Sequence, residues 1–288
     1  MTRTKAPAAA AGTWQLGSLT VNRLGFGAMR LVSTSDGGVR DRETSIAVLR
    51  RAVELGVNHI DTAAFYFHRT RSANELINTA LGATDVVIAT KVGPARDADG
   101  GFVPLARPEQ LRGQVEENLR QLGRDHLDLV NLRIGEGLER GAGSLADRFG
   151  ALAELREAGL IRELGISNVD AAHLAEAQAI APVVCVQNQY GLFARREDDA
   201  LVELCAEQGV AFVPFFAVAS AAESAAVAEV ARRHDVTEAQ IRLAWTLHRS
   251  PNVLAIPGTG DLAHLEQNVA AAALELSEAD LVTLDPEE

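Results

Sequence analysis

The chain has 288 residues, 47% of them apolar, and a formal net charge of −12. This length suits a single closed α/β barrel, and the apolar content is sufficient for a large core. The acidic excess argues against a nucleic-acid partner, because phosphate binding needs a surplus of Lys and Arg on one face. No run of about 18 to 20 apolar residues predicts a membrane span, and the N-terminus lacks the apolar region of a signal peptide, so we expect a cytoplasmic protein.

The number of cysteines also fits a cytoplasmic protein. Cys185 and Cys205 are too few for a disulfide framework, which fits a reducing compartment. Their spacing matches no metal-binding motif. We therefore predict two small core residues and no metal site.

Residues 1–12 are rich in alanine, and we predict a flexible N-terminal tail followed by one domain over residues 13–288. The segment TWQLGSLTVNRLG predicts a β-hairpin with Gly17 and Ser18 at its turn. Eight β-rich runs follow in chain order: LGFGA, VNHIDT, VVIATK, LDLVNLR, ELGIS, VVCVQN, AFVPFF and VLAIPG. Helical patterns separate these runs; TSIAVLRRAVELG, for example, ends at Gly56, a suitable residue for a C-terminal cap.

Eightfold alternation of strand and helix, with strands apolar on both faces, predicts a parallel sheet covered by helices. Eight such units can close into a barrel. An open doubly wound sheet is the alternative, but no G-x-G-x-x-G follows the first strand. We therefore predict an α/β fold, a (β/α)8 TIM barrel with an N-terminal β-hairpin.

Catalytic groups of such barrels lie at the carboxyl ends of the strands. Asp61 ends the second predicted strand, Lys91 the third and Arg133 the fourth. Because Asp61 and Lys91 follow apolar residues on neighbouring strands, we expect them to be partly desolvated and paired. Each charge by itself is more often a solvated rim group, and the pair by itself is only a structural salt bridge.

Tyr66 favours a catalytic interpretation. The segment DTAAFY carries this phenol from the strand end into the loop above the same mouth. A free tyrosine has a pKa near 10, and an ammonium within about 4 to 6 Å is expected to lower that pKa by stabilising phenolate. A general acid needs this arrangement. The alternative is a half-buried loop aromatic.

Five segments, in this order and spacing, resemble the aldo-keto reductase family: GVNHIDTAAFY, VVIATKVG, VEENLRQLGRDHLDLV, ELGISNV and AIPGTGDLAHLEQN. VNLRI, VCVQN and VPFF are similar to its bacterial branch of pyridoxal reductase-like enzymes. The resemblance implies an NADP(H)-dependent carbonyl reductase that transfers hydride to a small aldehyde or ketone, such as pyridoxal. In this family Asp, Tyr, Lys and His form a catalytic tetrad, and Asp61, Tyr66 and Lys91 occupy matching positions. The resemblance implies that Tyr66 is the proton donor and that the Lys91 ammonium lowers the pKa of Tyr66. It also implies that the Asp61 carboxylate orients Lys91.

Arg133 departs from the family, because histidine usually occupies this position. Arginine offers five donors but keeps its proton, so we expect Arg133 to orient a substrate or stabilise an oxyanion. Lys91 and Arg133 carry two positive charges against the one negative charge of Asp61, so we predict a net positive charge at this end of the barrel. Such a site suits a substrate with an anionic group beside its carbonyl. The alternative is a salt bridge between Arg133 and Glu136 with no part in the reaction.

The resemblance also implies a cofactor site of ten residues: Ser167, Asn168, Gln187, Phe215, Pro257, Gly258, Thr259, His264, Gln267 and Asn268. The first three would bind the carboxamide, Phe215 would stack on the nicotinamide, and the last two would contact adenine. Core packing for Phe215 and a helix cap for Asn168 are compatible alternatives. Gly258, Thr259 and His264 stand where lysine, serine and arginine often hold a 2′-phosphate, so we expect NADP(H) while NAD(H) stays open.

Two other functions are open at this stage. The altered tetrad would also suit reduction of a conjugated C=C bond or an imine. A protein of this fold can instead sense the redox state of a cofactor and regulate a partner with little turnover. The complete set of Asp61, Tyr66 and Lys91 argues against the regulatory function.

Overall fold

The computed structural model describes residues 7–82, 84–96, 101–103, 105–217 and 224–285. The strands in these ranges are β1 Thr13–Leu16, β2 Leu19–Asn22, β3 Phe26–Gly27, β4 His59–Asp61, β5 Phe67–His68, β6 Arg71–Ser72, β7 Val87–Val92, β8 Ala95–Arg96, β9 Phe102–Val103, β10 Leu127–Arg133, β11 Ile161–Ser167, β12 Cys185–Gln187 and β13 Ala211–Phe212. The α-helices are α1 Arg42–Glu54, α2 Ala73–Leu81, α3 Pro108–Leu122, α4 Ala146–Glu157, α5 Ala171–Gln178, α6 Asp199–Glu207, α7 Ala225–His234, α8 Glu238–His248, α9 Leu262–Ala270 and α10 Glu278–Leu284. Short 3₁₀ helices cover Pro7–Ala11, Ala28–Leu31, Arg196–Asp198 and Ala271–Ala273.

Helix α1 illustrates how local sequence sets an element. The Asp41 carboxylate caps its first turn by accepting a hydrogen bond from the Thr44 backbone N–H at 2.8 Å. The helix ends at Glu54, and Gly56 follows with φ 93°, a conformation that favours glycine. The predicted stop at Gly56 is confirmed.

A parallel sheet with the order β3, β4, β7, β10, β11, β12, β13 forms the centre of the molecule. Parallel pairing aligns the carboxyl ends of the strands at one edge. In the register, Lys91 is opposite Asn131, Arg133 is opposite Ser167, and Ser167 is opposite Gln187. Polar residues from four neighbouring strands therefore meet at one end of the sheet.

The segment after α8 closes this sheet into a barrel. Ala255 forms a parallel bridge to Leu24, before β3, and Val253 forms one to Phe212 in β13. Pro257 follows and has no N–H with which to extend the ladder. The predicted barrel with its N-terminal hairpin is confirmed, whereas the eighth predicted strand is wrong in extent, because VLAIPG contributes bridges rather than a strand.

The hairpin of β1 and β2 closes the amino-terminal end of the barrel. Its residues Leu16, Leu19 and Val21 pack with Val87 and Leu129 of the barrel strands in one apolar core. A larger core lies between the sheet and the surrounding helices. Removal of this apolar surface from water is the main stabilising contribution to such a fold.

Residues 7–12 belong to the fold, which corrects part of the predicted flexible tail. Ala8 is fully buried, and its N–H donates to the Leu55 carbonyl at 3.0 Å. Gly12 accepts a hydrogen bond from the Arg23 N–H at 2.9 Å. The small alanine side chains allow the Pro7–Ala11 turn to lie closely against the 271–273 turn. Residues 1–6 of the predicted tail lie outside the described residues.

The described ranges contain no helix that is long and apolar enough to cross a membrane. Across the same residues, no three His, Cys, Asp or Glu side chains are grouped so that they would hold a metal ion. Both cysteines are buried and free, as predicted. Burial raises the pKa of the Cys205 thiol to about 12 and also raises the pKa of the Cys185 thiol.

A buried carboxylate fastens the turn of the hairpin to the barrel. Glu163 in β11 is only 6% exposed and accepts hydrogen bonds from the backbone N–H and the hydroxyl of Ser18, both at 2.8 Å. Gly17 in the turn has φ 60°, and a Cβ there would lie 2.3 Å from the Glu163 carboxyl carbon. The turn therefore requires glycine for its backbone angle and for the closeness of this carboxylate.

We expect Glu163→Ala to lower the free energy of unfolding by about 1–3 kcal/mol, because the Ser18 groups lose their acceptor. Urea denaturation measures this change. Glu157→Ala, which removes an exposed carboxylate at the end of α4, serves as the matched control and should unfold at the wild-type midpoint. Equal midpoints for all three proteins would show that Glu163 does not fasten the hairpin.

Candidate active site

A buried ion pair lies at the centre of the polar end of the barrel. Lys91 is 1% exposed and Asp61 is 4% exposed. The Lys91 ammonium donates to Asp61 Oδ1 at 2.5 Å and to the Thr62 carbonyl at 3.1 Å. The Gln187 amide donates to the other oxygen, Asp61 Oδ2, at 2.8 Å. The pair therefore has the additional hydrogen bonds that buried charges require.

The charge state of Lys91 follows from its neighbours. Burial by itself would lower the pKa of Lys91, but Asp61 and Tyr66 outweigh this effect and hold that pKa above its ordinary value. The amine is therefore an ammonium at neutral pH.

Two backbone hydrogen bonds place Tyr66 above this ammonium. The Tyr66 N–H donates to the Ala63 carbonyl at 3.0 Å, and the Tyr66 carbonyl accepts from the Ala73 N–H at the start of α2, also at 3.0 Å. The ring packs edge-on against Phe65, with 5.3 Å between the ring centres. The Lys91 ammonium nitrogen lies 4.9 Å from the centre of the Tyr66 ring.

Burial raises the pKa of Tyr66 above its ordinary value, whereas the Lys91 charge lowers it and the Asp61 charge raises it. The expectation that Lys91 brings this pKa below the ordinary value is therefore wrong. Desolvation disfavours phenolate more strongly than one ammonium, already paired with Asp61, can favour it. The phenol keeps its proton at neutral pH.

Arg133 ends β10 beside this group and is 9% exposed. Its Nη2 donates to the Gly137 carbonyl at 2.6 Å, and its guanidinium carbon lies 5.0 Å from the centre of the Phe215 ring. The alternative of a salt bridge with Glu136 is wrong, because the guanidinium is bonded to a backbone carbonyl and Glu136 is exposed. Burial lowers the pKa of Arg133, while Tyr66 and Asp61 raise it.

A glycine after β7 permits the local backbone geometry. Gly93 has φ 114°, and a Cβ at this position would lie 2.2 Å from the Arg133 carbonyl oxygen. A side chain there would force the ends of β7 and β10 apart. Gly93 therefore keeps the Lys91 and Arg133 strand ends in register.

The three predicted carboxamide ligands lie together at the ends of β11 and β12. The Ser167 hydroxyl and Gln187 Oε1 are buried and have no hydrogen-bond partner within the described residues. Buried polar atoms normally have a partner, so these atoms fit a ligand that offers both a donor and an acceptor, as a carboxamide does. One N–H of the Gln187 amide donates to Asp61, which fixes the amide in place and leaves its oxygen free to accept from such a ligand.

Asn168 adopts φ 62°, and its side-chain nitrogen lies 3.4 Å from the Gly137 carbonyl oxygen. The cap of the following helix is Asp170, whose carboxylate accepts from the His173 N–H at 3.0 Å. The helix-cap alternative for Asn168 is therefore wrong. Phe215 is half-buried and lies outside both apolar cores, so part of its ring is available to a ligand.

The remaining predicted cofactor residues lie before and within α9. Pro257 is buried, Gly258 and Thr259 are half-buried, His264 and Gln267 are exposed, and Asn268 is buried. A Cβ on Gly258 would lie 2.4 Å from the Gly27 carbonyl oxygen, so only glycine allows the loop to pass this close to β3.

A basic residue, Arg40, lies beside this loop and was not among the residues predicted from the sequence. Its Nη1 donates to the Gly260 carbonyl at 3.1 Å, directly before the Asp261 cap of α9. Arg40 is about 220 positions away in the chain and belongs to no motif. Only the folded barrel brings it to a segment that lacks lysine and arginine of its own.

Sequence reasoning also missed a buried polar network behind the ion pair. The Thr62 hydroxyl donates to Asn74 Oδ1 at 2.8 Å, and the Asn74 amide donates to Asn118 Oδ1 at 2.9 Å. The Thr90 hydroxyl donates to the same Asn118 oxygen at 2.6 Å. Thr62 follows Asp61 and Thr90 precedes Lys91, so the network connects the two strand ends that carry the ion pair. Asparagines on helix faces that otherwise point to the core are the only sequence signal for it.

Comparisons with known proteins show the family of the chain. Residues 23–286 match the model of the aldo/keto reductase family. The chain belongs to this family, as its motifs indicated.

Three relatives illustrate the match. The chain is 45% identical to pyridoxine 4-dehydrogenase of Escherichia coli strain K12, over 95% of this chain and 97% of that protein. It is 30% identical to methylglyoxal reductase YeaE of the same organism, over 97% of this chain and 90% of that protein. A crystal structure of an aldo/keto reductase from Klebsiella pneumoniae in complex with NADP and acetate superposes with a TM-score of 0.78 at 27% identity, covering 95% of this chain and 94% of that one.

We expect Asn118→Ala to lower the free energy of unfolding by about 2 kcal/mol or more, because the Asn74 amide and the Thr90 hydroxyl lose their acceptor while buried. Urea denaturation measures the loss. Glu116→Ala on the exposed face of α3 is the control and should leave the midpoint unchanged. If Asn118→Ala matches this control, the network does not stabilise the strand ends.

Proposed function

We propose that the protein is an NADP(H)-dependent carbonyl reductase that acts on small aldehydes, with Tyr66 as the proton donor. The observation that carries the proposal is a protonated phenol beside the buried ammonium of Lys91, which Asp61 holds in place. Membership of the aldo/keto reductase family supports the same reaction.

Each residue of the group has a distinct part in this reaction. The Tyr66 hydroxyl gives its proton to the carbonyl oxygen of the substrate, which becomes the hydroxyl of the product alcohol. The Lys91 ammonium stabilises the phenolate left on Tyr66 until solvent returns a proton. Asp61 keeps the ammonium oriented toward the phenol. A reduced nicotinamide, when bound, supplies the hydride that reaches the carbonyl carbon.

The residues around this group fit NADP(H). The free Ser167 hydroxyl and Gln187 oxygen, together with Asn168, would bind the carboxamide, and Phe215 would stack on the nicotinamide ring. The 257–259 loop and α9, with Gln267 and Asn268, would carry the adenosine end. Arg40 would supply a positive charge for a phosphate there. The complex of the Klebsiella pneumoniae relative with NADP supports this cofactor.

Pyridoxal is the first substrate to test. The Escherichia coli relative is named a pyridoxine 4-dehydrogenase, and oxidation of pyridoxine at its 4-hydroxymethyl group yields the aldehyde pyridoxal. The reverse of that reaction is reduction of an aromatic aldehyde, which is the chemistry proposed for Tyr66.

Tyr66→Phe tests the proton donor. We expect kcat for pyridoxal reduction to fall by about 10² to 10⁴, because the variant keeps the ring and loses the transferable proton. NADPH oxidation with pyridoxal measures the rate, and a fluorescence titration should give an unchanged dissociation constant for NADPH. Equal rates for wild type and Tyr66→Phe would exclude Tyr66 as the acid.

The other tyrosine of the chain provides the control. The Tyr190 hydroxyl donates to Asp199 at 2.6 Å and accepts from Arg249 at 3.0 Å, in a structural cluster outside the proposed site. Tyr190→Phe should reduce pyridoxal at the wild-type rate at a temperature where it stays folded.

The pH dependence of kcat/KM gives a separate test. The protonated form of Tyr66 is the active one, so activity is lost as pH rises through the pKa of this group. Because burial holds that pKa above its ordinary value of about 10, we expect a level rate between about pH 6 and pH 9. In Lys91→Met the group that lowers this pKa is absent, and the decline should move to higher pH. A decline near neutral pH in the wild type would contradict the assignment.

A further inference from the structure

We propose that Arg133 selects carbonyl substrates that carry an anionic oxygen on the atom next to the carbonyl-bearing one, such as an aromatic aldehyde with an adjacent phenolate. The inference rests on the proposed function, because Arg133 would act on the same substrate. Arg133 is thus a specificity residue that contacts substrate, and the proton donor is a different group.

The first observation is a buried positive charge without a negative partner. Arg133 is nine-tenths buried, and within the described residues no carboxylate lies within salt-bridge distance of its guanidinium. Asp61 acts on it through space, yet both oxygens of Asp61 are already engaged by Lys91 and Gln187. Since the charges of Asp61 and Lys91 cancel, Arg133 gives this group of three residues one uncompensated positive charge. A buried cation of this kind favours an incoming anion.

The second observation is the set of donors that Arg133 leaves available. The Gly137 carbonyl takes one N–H of Nη2, and the Phe215 ring packs against the guanidinium. Among the described residues, no acceptor takes Nε or Nη1. The contacts with Gly137 and Phe215 hold the guanidinium in one orientation, and most of its five N–H donors are unused. A phenolate or carboxylate oxygen can accept from such a fixed fork.

The third observation is the position of this fork relative to the proton donor. Arg133 ends β10, which pairs with β7 so that Asn131 is opposite Lys91. Arg133 is also close enough to Tyr66 for its positive charge to lower the pKa of the phenol. A substrate whose carbonyl oxygen accepts from Tyr66 would therefore lie at the same strand ends as Arg133, where a neighbouring anionic oxygen can meet the guanidinium. Histidine at this position would offer one neutral donor and no permanent charge, so a neutral aldehyde would suit it equally well.

The test compares two aldehydes that differ in one oxygen. 3-Hydroxypyridine-4-carboxaldehyde carries an ionisable hydroxyl beside its aldehyde, and pyridine-4-carboxaldehyde lacks it. We expect wild-type kcat/KM to favour the hydroxy compound by about 10- to 100-fold, the range of a charge-assisted hydrogen bond. In Arg133→Met this ratio should fall toward one. Arg133→Lys should keep part of it, and Arg133→His, which introduces the usual family residue, should lose most of it.

Three further results separate specificity from a structural role. The wild-type preference should decline as pH falls below the pKa of the substrate hydroxyl, whereas Arg133 stays charged. Tyr66→Phe should lower kcat for both aldehydes and leave their ratio unchanged. The preference of the wild type for phenylglyoxylate over its methyl ester should likewise fall in Arg133→Met, and an unchanged preference would contradict an anion contact by Arg133.

A binding measurement makes the two proposals separable. With NADP⁺ in place of NADPH neither aldehyde can be reduced, and calorimetry should still show tighter binding of the hydroxy compound to wild type than to Arg133→Met. Loss of this difference, or an equal fall in kcat/KM for both aldehydes in Arg133→Met, would overturn the role of Arg133 and leave carbonyl reduction intact. Selective binding without any reduction would overturn the proposed function alone.

Discussion

The buried pair of Lys91 and Asp61 is the interaction on which the rest of this end of the barrel depends. Two charges that are almost fully removed from water persist only when each is satisfied by partners. Here Thr62 and Gln187 complete the hydrogen bonds, and the pair brings together strand ends from three different parts of the chain. The buried threonine and asparagine network behind it holds the same strand ends from the helix side. These contacts therefore stabilise the same strand ends that carry the proposed catalytic groups.

A balance between desolvation and charge sets the chemistry of the neighbouring groups. Burial raises the pKa of Tyr66, and the Lys91 charge limits the rise. The same burial disfavours the isolated charge of Arg133, which has only a backbone carbonyl and an aromatic ring against it. A protonated phenol and a cation without a carboxylate partner thus lie in one low-dielectric environment. These two properties are the basis of the proposed preference for an aldehyde with an adjacent anionic oxygen.

The barrel explains how distant segments reach this environment. Parallel strands deliver their carboxyl ends to one edge, and glycines at 93 and 258 allow the connecting loops to approach that edge closely. The hairpin occupies the opposite end, where Glu163 fastens it. Substitutions at the hairpin end should alter stability alone, whereas substitutions near the ion pair should alter both stability and the proposed chemistry.

The sequence by itself determined the order of elements, the barrel, the family and the pairing of Asp61 with Lys91. These features follow from local apolar patterns and from residues at the ends of strands, both of which are written linearly along the chain. Only the tertiary structure decided the direction of the Tyr66 pKa shift, the Gly137 partner of Arg133, the approach of Arg40 to Gly260, and the reduction of the eighth strand to bridges. Each of these depends on how deeply a group is buried and on which distant groups surround it. Burial and through-space distance exist only after the chain has closed on itself.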